Sequence, residues 1–195
     1  MPRSGYASHL PVLEIVRACL ASVDNIEFGC GTFSTSWLLM HGNLTTIELN
    51  KEWLDKVTST MLPVLRERWI NYLVADELEA MRTGHMHECG VVFVDGGAAD
   101  KRYQIAQTCM ETNICKAIVM HDTERASMLY QKMILPAGWW YVRVEADMPW
   151  TSVCTQNKNL VTLLDSIWKV TICDTTERLK YISYPAIAGY KKGKD

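Results

Sequence analysis

Five places in this sequence put residues that can do chemistry directly after a short apolar run. Glu27-Phe28-Gly29-Cys30-Gly31-Thr32-Phe33-Ser34 sets a carboxylate two residues before a pair of closely spaced glycines. Glu48 closes the β-branched run from Leu44, and Asp76 follows the run from Trp69 to Ala75. Asp95-Gly96-Gly97 follows Val91-Val92-Phe93-Val94, and His121-Asp122-Thr123-Glu124 follows Ala117-Ile118-Val119-Met120. A single acid after a strand is ordinary, because Asp and Glu suit the first turn of a helix. Five acids in step with five strands carry more meaning. They mark one edge of a sheet, and ligands of open α/β sheets bind outside the carboxyl ends of the strands. Gly29 and Gly31 let a ligand approach the backbone with no Cβ in the way. His121 is the residue type that exchanges protons near neutral pH, which makes it the general-base candidate. A structural histidine bonded to Asp122 or to a backbone carbonyl is its competing reading.

The glycine turn fits neither common nucleotide motif. Ser34 stands where a dinucleotide fingerprint has its third glycine, and no Gly-Lys-Ser or Gly-Lys-Thr is present. Glu27 could accept hydrogen bonds from the turn amides or from a ligand ammonium. Asp76, Asp95 and Asp122 are also readable as helix caps. His85-Met86-His87-Glu88-Cys89 matches no standard zinc spacing and reads as a loop.

These residues need elements to hold them. The spacing predicts an amphipathic helix over 10–22, then strands at 25–28, 44–49, 69–75, 91–94 and 117–120. Between them fall helices over 34–40, 51–68 (bent or ended by Pro63), 77–82 and 101–112, and a further helix runs over 124–135. Five strand–helix alternations predict an open parallel sheet covered on both faces. After Gly138 the rhythm changes. Only six residues separate the strands Trp140–Val144 and Thr151–Gln156, too few for a crossover helix, so they predict an antiparallel hairpin. The segment 160–170 reads equally as helix or strand, and the tail Lys191-Lys192-Gly193-Lys194-Asp195 reads as frayed.

With these residues in place, residues 8 to about 158 resemble the class I S-adenosylmethionine-dependent methyltransferases, in a branch that acts on small-molecule hydroxyls. The match lies in Glu27-Phe28-Gly29-Cys30-Gly31, in Glu48, in Asp76, in the hairpin, and in Asp95-Gly96 with His121-Asp122. The resemblance implies a Rossmann-like, doubly wound, seven-stranded sheet of order 3-2-1-4-5-7-6 with strand 7 antiparallel. It implies a cofactor-binding domain over 1–158 and a C-terminal extension of unknown role over 159–195. It implies S-adenosylmethionine held by Glu27, Gly29, Cys30, Gly31, Ser34, Glu48 (on the ribose), Asp76 (near the adenine) and Asp95. It implies catalysis by His121, Asp95 and Asp122, with in-line methyl transfer to the hydroxyl of a small-molecule or sugar-like acceptor. Related metal-dependent members hold a divalent cation, such as Mg, on acids that map to Asp95 and Asp122. The family's third metal ligand, expected beside Asp122, is Thr123 here, and Gly97-Ala98-Ala99 replaces the His or Asp often found after the Asp-Gly. Two other outcomes stay open: another S-adenosylmethionine-consuming enzyme, or a catalytically inactive methyltransferase-like binding module.

Composition narrows the partners. The chain has 195 residues, enough for one domain and an appended segment. It is 48% hydrophobic, as a folded globular protein requires. With 20 basic and 22 acidic residues, its net charge of -2 argues against a nucleic-acid binder held by phosphate attraction. No apolar stretch approaches a membrane span, and the first residues contain no apolar core of a signal peptide. Seven cysteines, an odd number with no C-x-x-C pair, point to a reducing, cytoplasmic setting. The reading leaves room for a homo-oligomer.

Overall fold

The computed structural model describes residues 8–20, 24–145 and 149–174. The basic tail and the rest of the chain beyond 174 lie outside the described residues. The elements follow the predicted alternation: α1 (Leu10–Cys19), β1 (Asp24–Phe28), α2 (Ser34–Met40), β2 (Asn43–Glu48), α3 (Lys51–Thr60), α4 (Pro63–Arg66), β3 (Trp69–Leu73), α5 (Glu77–Arg82), β4 (Cys89–Val94), α6 (Arg102–Thr112) and β5 (Cys115–Met120). Then come β6 (Trp140–Val144), β7 (Thr151–Thr155), α7 (Lys158–Ile167) and β8 (Val170–Cys173).

The sheet order is β3-β2-β1-β4-β5-β7-β6-β8. The four central pairings are parallel out to β3 and β5, and β7 runs antiparallel to β5. The expected order holds, with one correction: the sheet has eight strands rather than seven, because β8 adds antiparallel to β6. The segment 160–170 is helix first and strand last. Asn157 Oδ1 caps α7 by accepting from the backbone N–H groups of Asn159 and Leu160, and Leu160, Val161 and Leu164 bury its inner face. The sheet therefore continues through residue 173.

Two further expectations change. The helix over 124–135 is replaced by two 3₁₀ turns, at 126–128 and 130–132. Leu129 between them adopts a left-handed φ of 54°, which no α-helix accommodates. The helix over 51–68 breaks into α3 and α4, with Pro63 at the start of α4.

The apolar runs explain the layering. In β4, Val91 and Phe93 pack with Leu13, Val16 and Leu164 on one face, while Val92 and Val94 pack with Ile105, Cys109 and Met128 on the other. A strand covered on both sides cannot alternate apolar with polar, hence its unbroken run. Six of the seven cysteines are buried, and they behave as small core residues. Among the described residues no helix is long and apolar enough to cross a membrane.

Register is what builds the edge. Phe28 pairs with Ile47 on one side and Val94 on the other, and Val94 pairs with Met120. The next residues of the four strands, Gly29, Glu48, Asp95 and His121, therefore emerge together. Strands β1 and β4 meet there at the backbone. Phe28 O accepts from Gly96 N at 2.7 Å, and a Cβ built on Gly96 would lie 2.1 Å from Gly29 Cα. Gly29 itself has φ +79°. We expect Gly96→Ala to cost about 3 kcal/mol or more in urea unfolding, from overpacking against a backbone that cannot yield. Gly84→Ala is the control. Its φ of +85° is strained, but a Cβ there meets nothing within 4 Å, so it should cost only about 1 kcal/mol. Equal costs would mean that the two strand ends separate easily.

Candidate functional site

The strand ends and the helix α1 enclose a cavity of about 590 Å³ lined by His9, Gly29 to Ser34, Glu48, Asn50, Trp53, Asp95 and Gly96. Each wall has a local cause. Helix α1 packs over β4 and β5, bringing Ser8 and His9 at its N-terminus over the strand ends. Asn50 Oδ1 caps α3 through Trp53 N, and Trp53 Nε1 then donates to Cys30 O at 2.6 Å, bracing the glycine turn from the side.

Glu27 does not face the cavity. It is fully buried, and its two oxygens accept from Ser34 Oγ at 2.6 Å, Thr35 Oγ1 at 2.7 Å and Thr46 Oγ1 at 3.3 Å. Thr35 Oγ1 in turn accepts from Gly31 N at 2.9 Å. Glu27 thus reaches the turn through the hydroxyls of α2. Burial pushes its carboxyl up to about 8, against the pull of those hydroxyls. Ser34 lines the cavity while donating to Glu27, and the cap of α2 is the backbone at Phe33 rather than Thr32 or Ser34.

Glu48 also organises the turn. Oε2 accepts from Cys30 N at 2.9 Å and Cys30 Sγ at 3.3 Å, and Oε1 accepts from the N–H groups of Leu49 and Asn50, each at 2.8 Å. Unlike Glu27, it forms part of the cavity wall. Asp76 sits apart. It caps α5 through Leu78 N and pairs with Lys101 Nζ at 2.6 Å, away from the cavity lining.

The structure brings Asp95, His121 and Asp122 together and adds residues that the sequence reading passed over. His121 Nδ1 lies 2.9 Å from Asp95 Oδ1, and its Nε2 lies 3.1 Å from Ser8 Oγ, 113 positions away in the chain. Ser8 has one hydroxyl hydrogen and donates it to Pro149 O at 2.8 Å. Both ring nitrogens of His121 are thereby engaged, Nδ1 by the Asp95 carboxylate and Nε2 by Ser8 Oγ. Burial raises the Asp95 carboxyl, but His121, with Arg102 beyond it, reverses this and holds it below the usual range.

His9 is the opposite case. It is 2% exposed, it lines the cavity, and neither ring nitrogen has a hydrogen-bond partner among the described residues. Burial, reinforced by the charge of His121, lowers it from 6.5 to about 4, so it is neutral at pH 7. Nothing in sequence spacing pointed to Ser8, His9 or Trp53. They reach the site only because α1 and α3 fold back over it.

No protein-family model matches this sequence, and no curated protein does. Solved structures do match. The O-methyltransferase from Bacillus cereus, in complex with SAH, superposes with a TM-score of 0.59 at 14% identity, covering 80% of this chain and 81% of that one. The O-methyltransferase TomG from Streptomyces achromogenes, in complex with SAM, gives 0.55 at 16% identity over 77% and 78% of the two chains. An rRNA methylase from Streptococcus thermophilus gives 0.55 at 11% identity over 80% and 98%. The fold is that of the class I methyltransferases. Because this methyltransferase fold is shared by proteins with small-molecule and RNA acceptors, the likeness does not choose the acceptor.

The metal implied by the family meets a poor fit. Arg102 Nη1 lies 3.6 Å from Asp95 Oδ1 and 3.5 Å from Asp122 Oδ2, so a guanidinium stands between the two carboxylates. Arg125 Nη2 is 3.3 Å from Asp122 Oδ1. A hard cation such as Mg²⁺ needs oxygen ligands about 2 Å away and retains several waters. Here the oxygens already face two arginines and the His121 ring. His9, Asp95 and His121 also bring ligand-type atoms within 4.8 Å of one another, but both nitrogens of His121 are already engaged, by Asp95 and by Ser8.

Two of the shifted groups, Glu27 and His9, give a pH signature. Glu27, raised from 4.5 to about 8, contributes stability that is complete below pH 4.5 and is lost as pH rises through about 8. His9, lowered from 6.5 to about 4, works in the other direction, between pH 4 and 6.5. Of these two, only Glu27 contributes a slope above pH 6.5, at up to about 1.4 kcal/mol per pH unit. Unfolding of wild type and Glu27→Gln should diverge between pH 6.5 and 8, with the variant losing less stability. Parallel curves would mean that Glu27 is ionised throughout.

Proposed function

We propose that this chain is an S-adenosylmethionine-dependent methyltransferase that methylates a hydroxyl of a small-molecule acceptor. The carrying observation is the crevice between the β1–α2 turn and the end of β4. At Gly29 and Gly31 no Cβ stands over the backbone, and Glu48 lies one strand over. These residues suit the cofactor's parts. The bare turn takes the amino-acid end, Glu48 the ribose hydroxyls, Trp53 walls the crevice, and Asp95 offers negative charge to a positive sulfur. When bound, the cofactor supplies an electrophilic methyl group on that sulfur.

Glu48 can accept about four hydrogen bonds, and the protein already supplies four. The thiol of Cys30 is the weakest donor among them, so a ribose hydroxyl displaces it first. Asp76, held by Lys101 and by its helix, is left as a cap in this reading and does not contact the adenine. In place of His121, His9 meets the acceptor. Both nitrogens of His121 are occupied by Asp95 and Ser8, whereas neutral His9 has a lone pair with no described partner, within the cavity and next to Asp95. Its ring nitrogen accepts the hydroxyl hydrogen as the acceptor oxygen bonds to the methyl carbon in line with the departing sulfur. Asp95 and His121 then hold His9 and α1 in place. Much of the rate comes from alignment at about 3 Å. The net charge of -2 favours a small acceptor over a nucleic acid.

Calorimetry should detect SAH binding to wild type. Glu48→Ala should weaken it by about 1–3 kcal/mol, the scale for losing hydrogen bonds to a charged group. His9→Gln should leave SAH affinity unchanged, since it acts on the acceptor side. Folded wild-type protein that binds neither SAH nor SAM would contradict the reading. Cofactor breakdown without an acceptor would redirect it to another reaction of the same cofactor.

A further inference from the structure

We propose that Arg102 is the resident cation of this site, standing where metal-dependent members of the fold carry a divalent ion, so that the site is metal-independent. The argument starts from placement. Arg102 is the first residue of α6, and it follows the loop that leaves β4 at Asp95. Its side chain is 10% exposed and turns back under the strand ends, where Nη1 is equidistant, within 0.1 Å, from Asp95 Oδ1 and Asp122 Oδ2. Those are the two acids that the divalent ion would bridge.

Charge gives the second step. Asp95 and Asp122 supply two negative charges. Arg102 supplies a buried positive charge between them, and Arg125 adds a second from the more exposed side. Two acids and two guanidiniums balance without an ion. A dication would face like charges at van der Waals distance in a setting that screens them poorly. A guanidinium also keeps its charge at every working pH, so the compensation is permanent. Two of its nitrogens, Nε and Nη1, have no hydrogen-bond partner, so the group sits here as a charge between two acids and not as a bidentate clamp on one.

The consequence is a latent metal site. With Arg102 made neutral, Asp95 and Asp122 lose the cation they share, and two carboxylates on neighbouring strand ends are the donor type that recruits a hard divalent ion. The test is titration with MnCl₂ and MgCl₂, followed by calorimetry and by the EPR signal of free Mn²⁺. Wild type and Arg102→Lys should show no saturable uptake, and their SAH affinity should be the same with and without EDTA. Arg102→Met should take up one Mn²⁺ per chain and melt at higher temperature with Mn²⁺ than without. Saturable Mn²⁺ or Mg²⁺ uptake by wild type that Asp95→Asn abolishes would overturn the proposal. So would a folded Arg102→Met that ignores both ions. If Arg102→Met does not fold, the wild-type and Arg102→Lys titrations decide alone. Because metal uptake is read without SAH, this proposal and the cofactor assignment fail separately.

Discussion

Two strands of this sheet touch where no side chain can fit. Gly29 and Gly96 bring the carboxyl ends of β1 and β4 to backbone contact, and a Cβ on either would fall about 2 Å from the other's Cα. That contact lets Phe28 O bind both Asp95 N and Gly96 N. It sets Asp95 at the cavity wall beside His121 and Arg102, with the turn over Gly29 to Gly31 on the same cavity. The cavity, the placement of Glu48 and the reach of His9 across the strand ends follow from it.

Around that contact the carboxylates divide by environment rather than by sequence position. Glu27, sealed under α2, is pushed toward its neutral form and works as a scaffold for the hydroxyls of Ser34, Thr35 and Thr46. Glu48, at the rim, holds backbone amides and keeps a face on the cavity. Asp95 and Asp122 both face the buried Arg102 guanidinium, and Asp95 also meets the ring of His121. Burying this many charges is costly unless each is paired, and the pairing fixes the geometry: removing one partner would leave a buried charge uncompensated. The two histidines divide in the same way. One is saturated with hydrogen bonds and one has none, although their rings are only 4.8 Å apart.

The architecture was legible because its signals are local. The unbroken run Val91 to Val94, the glycine pair after Phe28 and the six-residue gap before Thr151 each constrain topology within a few residues. Strand β8 was harder, since Val170 to Cys173 is short and its partner β6 lies far from it in sequence. The 124–135 segment misled because its composition suits a helix, while Leu129 adopts a conformation that composition does not reveal. In the site, the acids were visible as types at strand ends, but their partners were not. No spacing rule connects Ser8 to His121, or Arg102 to Asp95 and Asp122 at once, because those contacts arise from helix packing. His121 was therefore read as a base from its residue type, and only its hydrogen bonds show that both nitrogens are committed. His9 was passed over because an isolated histidine before a helix carries no signal until the helix is docked.

The central claim is that the crevice at the β1–β4 contact receives the adenosyl cofactor through a side-chain-free turn. A crystal structure of the protein with SAH tests it most directly. The account predicts continuous ligand density over Gly29 to Gly31, with the ribose hydroxyls on Glu48 in place of the Cys30 thiol and the sulfur between Asp95 and His9. Density for SAH elsewhere, or a crevice closed by the protein's own side chains, would contradict it.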